Sequence, residues 1–129
     1  MKKVLVAGGR DFDDYNLLTN TLADILWLEP EGIEIIEGGA RGADRMAQQW
    51  AIAVGVPFTT VNADWDKYKK AAGPIRNIEM AKMKPDLVVL FPGGAGTNHM
   101  YETAKKYGLS ILDYRNGADN EEWTKFYGL

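Results

Sequence analysis

Three short glycine-rich runs hold the residues best suited to chemistry, and each directly follows an apolar stretch. They are Gly8-Gly9-Arg10, Gly38-Gly39-Ala40-Arg41-Gly42 and Pro92-Gly93-Gly94-Ala95-Gly96-Thr97. Glycine lets the backbone turn tightly and leaves no side chain in the way of a guest. A helix that follows such a turn offers unpaired N–H groups and the positive end of its dipole. Together these form an anion site, most often for phosphate. In the third run Gly93, Gly94, Gly96 and Thr97 would form the cradle, with the Thr97 hydroxyl adding a bond. The structural alternative is a plain tight turn with Thr97 as helix N-cap. In the second run Gly38, Gly39 and Gly42 form the turn, and Arg41 could meet phosphate through its planar fork. Asp44 falls in the next helical turn, where it could contact ligand or act as a cap. Arg10 could clamp an anion beside Gly8 and Gly9, or pair on the surface with Asp11 or Asp13. No Gly-Lys-Ser/Thr follows the third run, so it is not a Walker loop, and the first run lacks the dinucleotide glycine spacing.

Other candidates lie between these runs. Trp65 and Tyr68 sit in a polar, aromatic stretch, residues 62–70. An aromatic there could stack on a base or pin the loop to the core. Asp64 could orient the loop or bond a ribose hydroxyl. Arg76 and Asn77 open a helix behind Gly73-Pro74 and could reach the same crevice. Arg76 could instead form a salt bridge with Glu79 or Asp66. His99 and Glu102 fall in the first turns after the third glycine run, where a general acid or base would be useful. The simpler reading, favoured here for both, is a helix surface with Glu102 paired to Lys105 or Lys106. Met100, Ala104 and Tyr107 read as a core stripe.

The elements that must position these residues alternate. Apolar strands are expected at 4–7, 33–37, 57–61, 86–90 and 110–114. Helices are expected at 15–28, 43–54, 75–83 and 98–107. Asp13 or Asp14 caps the first helix, Gly55 stops the second, and 62–70 is read as a lid-like loop. Strands alternating with helices predict an α/β fold. It is a Rossmann-like three-layer α/β/α sandwich on a mainly parallel sheet of about five strands. Ligands in such sheets sit beyond the carboxyl ends of the strands, where all three glycine runs fall. The chain reads as one domain, residues 1–129. Residues 116–129, with Trp123, Phe126 and Tyr127, form a packed tail.

Composition narrows the function. The chain has 129 residues, 46% hydrophobic and 26% charged, with a net charge of −3. This acidic balance disfavours nucleic acid as a partner, because broad nucleic-acid binding needs a basic face. A small phosphate ligand remains possible, since backbone amides can supply the positive potential. There is no cysteine and one histidine, so thiol chemistry is absent and no metal or other cofactor is expected. No apolar run approaches a membrane span, and the start does not resemble a signal peptide, so a cytoplasmic location is expected.

The motifs taken together resemble the SLOG superfamily, in particular its YspA/YpsA-related branch of small stand-alone proteins. The resemblance rests on Gly8-Gly9-Arg10-Asp11-Phe12, Gly38 to Asp44, Ala63-Asp64-Trp65, Ala72 to Asn77, and Phe91 to Thr97. It implies a Rossmann-like fold that binds nucleotides or their derivatives. The superfamily includes the Lonely-guy phosphoribohydrolases and DprA, and this branch is linked to phage conflict and to NAD or ADP-ribose signalling. The resemblance implies a sensor or sequestering protein for a nucleotide-derived ligand, such as an ADP-ribose derivative. Its residues would act as a homodimer or higher homo-oligomer. The alternative it implies is a nucleoside 5′-monophosphate phosphoribohydrolase, with Arg76 matching the catalytic arginine. The sequence departs from that pattern at one position. Where Pro-Gly-Gly-x-Gly-Thr-x-x-Glu places the catalytic glutamate, this chain has Met100.

Overall fold

The computed structural model describes residues 1–117 and Tyr127. The elements run β1 (Lys2–Ala7), α1 (Tyr15–Leu28), β2 (Ile33–Glu37), α2 (Ala43–Val54), β3 (Phe58–Thr60) and α3 (Trp65–Tyr68). A 3-10 turn (Lys69–Ala71), α4 (Ala72–Lys82), β4 (Leu87–Leu90), α5 (Ala95–Lys106) and β5 (Ile111–Asp113) follow. All five strands are parallel, in the order β3-β2-β1-β4-β5. This is the Rossmann-like α/β sheet that the alternation predicts.

The central strands are apolar where both faces of the sheet are covered, as in Val4 to Ala7 of β1 and Leu87 to Leu90 of β4. Val4 and Val6 of β1 pack with Leu18, Leu22 and Ile25 of α1 and with Ala47 and Trp50 of α2. Their neighbours Leu5 and Ala7 face the other way, onto Met80 of α4 and Met100 and Ala104 of α5. The period of two along β1 therefore feeds two separate cores. Successive connections run outward on one side of β1 and then return on the other. The order reverses between β1 and β4, and a crevice opens beyond their carboxyl ends at that point.

Local signals account for most boundaries. Asp14 caps α1 by accepting the Leu17 N–H at 3.1 Å. Gly55 ends α2 at φ 79°, in the left-handed region. Three departures from the sequence expectation bear on the site. The stretch expected as an open loop contains α3, because the Asp64 carboxylate accepts the Lys67 N–H at 3.1 Å and starts a helical turn. Helix α4 begins at Ala72, which puts Gly73 and Pro74 inside its first turn, where a missing N–H costs nothing. Helix α5 begins at Ala95, so the N-cap is Gly94 and not Thr97. The expected packed tail lies outside the described residues except for Asn116, Gly117 and Tyr127, whose hydroxyl donates to Glu29 Oε1 at 3.3 Å.

Candidate functional site

The three glycine runs meet at the carboxyl edge of the sheet, but they do different work. At the first run, the Gly9 N–H donates to the Pro92 carbonyl at 2.9 Å. A side chain on Gly8 would strike Ala43 Cβ at 2.6 Å, and one on Gly9 would strike Gly93 Cα at 2.9 Å. Gly9, Pro92 and Gly93 are thus packed backbone to backbone, with Gly8 close against Ala43 and Phe91. They form the seam that holds the end of β1 against the end of β4.

The second run is closed by the protein's own acceptors. Glu37, fully buried at the end of β2, accepts the Gly39 N–H at 2.6 Å and the Thr60 hydroxyl. Asp44 accepts the Ala40 N–H at 3.3 Å. The Ala43 N–H goes to the Gly9 carbonyl and the Arg45 N–H to the Ala40 carbonyl. Most of the turn's donors are therefore spent inside the protein. Arg41 points outward and pairs with Asp11 at 3.1 Å on the surface. Asp11, one of the two surface partners open to Arg10, thus pairs with Arg41.

The third run stays open. The Asn98 N–H makes the first bond of α5, to the Gly94 carbonyl at 3.0 Å. The amides of Ala95, Gly96 and Thr97 precede it and point out of the helix end. No atom lies within 4 Å of a Cβ placed on Gly94 or Gly96. Thr97 is buried, with its hydroxyl against the Gly93 backbone rather than in a capping position.

These amides face a crevice of about 520 Å³. Its walls carry Arg10, Asp44, Trp65, Lys70, Arg76, Asn77 and His99, over a floor that includes Ala7 and Met80. A second lobe of about 540 Å³ adjoins it, lined by Gly38, Gly39, Arg41 and Asn62. Arg10, Trp65 and Arg76 line both lobes. The Arg10 guanidinium stands 5.6 Å from the centre of the Trp65 ring, and Trp65 is 47% exposed. Trp65 is thus a free aromatic wall and not a plug in the core. Asp64 spends its carboxylate on the α3 cap and does not line the main crevice.

Arg76 and Asp44 face each other across the inner wall. Arg76 Nη1 donates to the Gly38 carbonyl at 2.6 Å, while its Nε is buried without a partner. Burial pushes the Asp44 carboxyl up to about 7, against the pull of the Arg76 guanidinium and the Ala40 amide. The nearby Glu37 carboxylate adds to the rise. The inner wall therefore holds an acid that keeps its proton to a far higher pH than a free carboxyl, beside a fixed cation.

A family model over residues 2–68 decides the family. The Gene 61 protein of Mycobacterium phage D29 is 36% identical over 121 residues, which cover 88% of this chain and 97% of that protein. The matching model is that of the YspA, cpYpsA-related SLOG family (YAcAr). This chain belongs to that SLOG family. Solved structures share its fold. DprA from Streptococcus pneumoniae superposes with a TM-score of 0.68 at 19% identity, over 88% of this chain but only 50% of DprA. DprA from Helicobacter pylori, described for its single-stranded DNA binding mode, gives 0.68 at 20% identity over 98% of this chain and 73% of its own. The Moco carrier protein from Chlamydomonas reinhardtii gives 0.67 at 18% identity over 99% and 83%. The fold by itself therefore does not set nucleic acid aside as a partner. No helix among the described residues is long and apolar enough to cross a membrane.

The remaining candidate residues divide cleanly. Met100 is fully buried among the residues under α5, so no acid can act from that position. Glu102 is exposed and away from the crevice. His99, read from sequence as helix surface, instead lines the crevice, where its Nδ1 lies 3.1 Å from Asn77 Nδ2. Asn77 is buried and also donates to the Gly96 carbonyl at 3.2 Å. Sequence reasoning missed Lys70, Met80 and Glu37. Only Glu37 left a signal, as the carboxylate that ends β2 just before Gly38-Gly39.

Proposed function

We propose that this SLOG domain binds a small nucleotide-type ligand, with its phosphate on the amides of Ala95, Gly96 and Thr97. The observation that carries this reading is the open α5 terminus facing a crevice ringed by Arg10, Lys70 and Arg76. Amides of a first helical turn and the helix dipole favour an anion, and three cations around one cavity deepen that preference. Trp65 offers a ring face to a base, with Arg10 alongside it. The two lobes give room for a ligand larger than a mononucleotide, such as an ADP-ribose derivative. Sensing or sequestration fits this arrangement. The test is native mass spectrometry of the purified protein, then calorimetry with AMP, ADP-ribose and inorganic phosphate. Saturable binding of a nucleotide more tightly than of phosphate supports the reading. Failure of every nucleotide to bind overturns it.

Asp44 favours a second reading, cleavage of the N-glycosidic bond of a nucleoside 5′-monophosphate. The neutral acid would give its proton to the departing base nitrogen as the C1′–N bond breaks. Water would add to C1′, releasing ribose 5-phosphate and returning a proton to Asp44. Arg76 would hold the negative charge. Chromatography of AMP incubated with the protein tests this: free adenine must form, and the Asp44→Asn variant must form none.

A further inference from the structure

The hydrogen bonds between α4 and α5 fix the proton on the chain's one histidine. Asn77 is buried between the two helices and touches both the Gly96 carbonyl, at 3.2 Å, and His99 Nδ1, at 3.1 Å. A carbonyl oxygen can only accept, so the side of the Asn77 amide that meets Gly96 must be its NH₂ group. The same nitrogen faces His99, and an amide NH₂ can only donate. His99 Nδ1 is therefore the acceptor, and the ring proton sits on Nε2. Thr103 does not disturb this, because its hydroxyl donates to the His99 carbonyl at 2.8 Å and lies a longer 3.5 Å from Nδ1.

His99 lines the crevice one turn beyond the open amides of α5. We infer that His99 is a specificity-determining residue of the binding site, presenting Nε2–H as a fixed neutral donor to an acceptor atom of the ligand, and that Asn77 is the positioning residue that sets this polarity. The inference rests on the proposed reading for the presence of a ligand but not for the tautomer. It adds a requirement that the phosphate cradle does not impose. Next to its phosphate the ligand must offer a lone pair, such as a sugar oxygen, a base carbonyl or an unprotonated ring nitrogen. A ligand with an N–H at that point leaves two donors facing each other, each without an acceptor. Asn77 also ties α4 to the Gly96 backbone, so one side chain couples the anion cradle to the donor beside it.

The experiment has two arms. In the first, long-range ¹H–¹⁵N correlation of the ligand-free protein reports the single histidine without overlap. A proton fixed on Nε2 is expected. In Asn77→Asp the carboxylate must instead draw a proton to Nδ1. A wild-type ring with its proton on Nδ1, or averaged over both nitrogens, overturns the inference. In the second arm, calorimetry with AMP compares wild type, His99→Ala and His99→Gln, each checked for folding by circular dichroism. His99→Ala is expected to bind about ten-fold more weakly, and His99→Gln, which keeps a donor, to stay within about three-fold. Equal affinity for all three overturns the ligand contact. If wild type binds neither AMP nor ADP-ribose, the nucleotide reading fails and takes the contact with it. The first arm then still reports whether Asn77 sets the ring.

Discussion

The turn after β2 and the turn after β4 look alike in sequence and behave in opposite ways. Both are glycine-rich and both lead into a helix of the same length. After β2, Glu37 closes the strand and Asp44 lies in the first turn of the helix, and the two carboxylates take the Gly39 and Ala40 amides. After β4, Phe91-Pro92 follows the strand and the first turn of α5 holds no acid. Its amides have nothing of their own to bind. A carboxylate on either side of a glycine turn thus converts an anion site into a self-satisfied corner. The difference lies in the flanking residues and not in the glycines.

The largest effects should separate the two turns. Gly42 has φ 81°, and a Cβ there would press on the Gly9 carbonyl and come within 2.7 Å of the Arg10 carbonyl. Gly42→Ala is expected to cost more than about 3 kcal/mol in urea unfolding. Gly96→Ala meets only open space, so stability should stay within about 1 kcal/mol of wild type, or rise. AMP binding should be lost, because the methyl group fills the cradle. A stable Gly42→Ala, or a Gly96→Ala that still binds, would break the contrast.

Arg76 belongs to both turns, so its removal sharpens the comparison. Arg76→Met leaves the Gly38 carbonyl without its donor and the crevice without its inner cation. We expect AMP affinity to fall about ten-fold or more and stability to fall by about 1–3 kcal/mol, read by calorimetry and urea unfolding.

Next comes the proton on Asp44. Its folded value of about 7 lies above the ordinary 3.8. Between those values the folded protein binds more protons than the unfolded chain. Stability therefore falls as pH rises from about 4 to about 7, and levels off above. Asp44→Asn should remove that fall, matching wild type near pH 4 and exceeding it at pH 8 by a few kcal/mol. Urea unfolding across this range measures it, and a wild type whose stability rises steadily to pH 8 contradicts the burial of a reluctant acid.

The smallest effect is expected at Arg41. Its ion pair with Asp11 is 66% and 93% exposed on the two side chains. Arg41→Ala should change stability by less than about 0.5 kcal/mol and AMP affinity by less than about three-fold. A larger loss of affinity would return the second turn to the binding site.

The strands were legible because burial on both faces writes a continuous apolar run, as in Val4 to Ala7 and Leu87 to Leu90. The position of the third glycine run at a strand end was legible for the same reason. What the sequence hid were choices between partners. Nothing along the chain says that Arg41 takes Asp11, or that Asp64 spends its carboxylate on a cap. His99 reads as helix surface because its neighbour Asn77 lies on another helix and meets it only after folding. The start of α5 was misplaced because Gly96, a poor helix former, lies inside the first turn, where packing of Thr97 outweighs propensity.

The pairing of β1 sets a timetable for the crevice. One edge of β1 meets β2, with Lys2 opposite Ile33, but the other waits for β4, with Val4 opposite Leu87. A chain emerging from the ribosome at ~5–20 residues per second leaves that edge bare for several seconds after β2 is made. The first and third glycine runs cannot form their seam in that interval, and the amides of α5 do not yet exist. A phosphate ligand can therefore stabilise the finished protein by mass action, but it cannot template the first half of the chain.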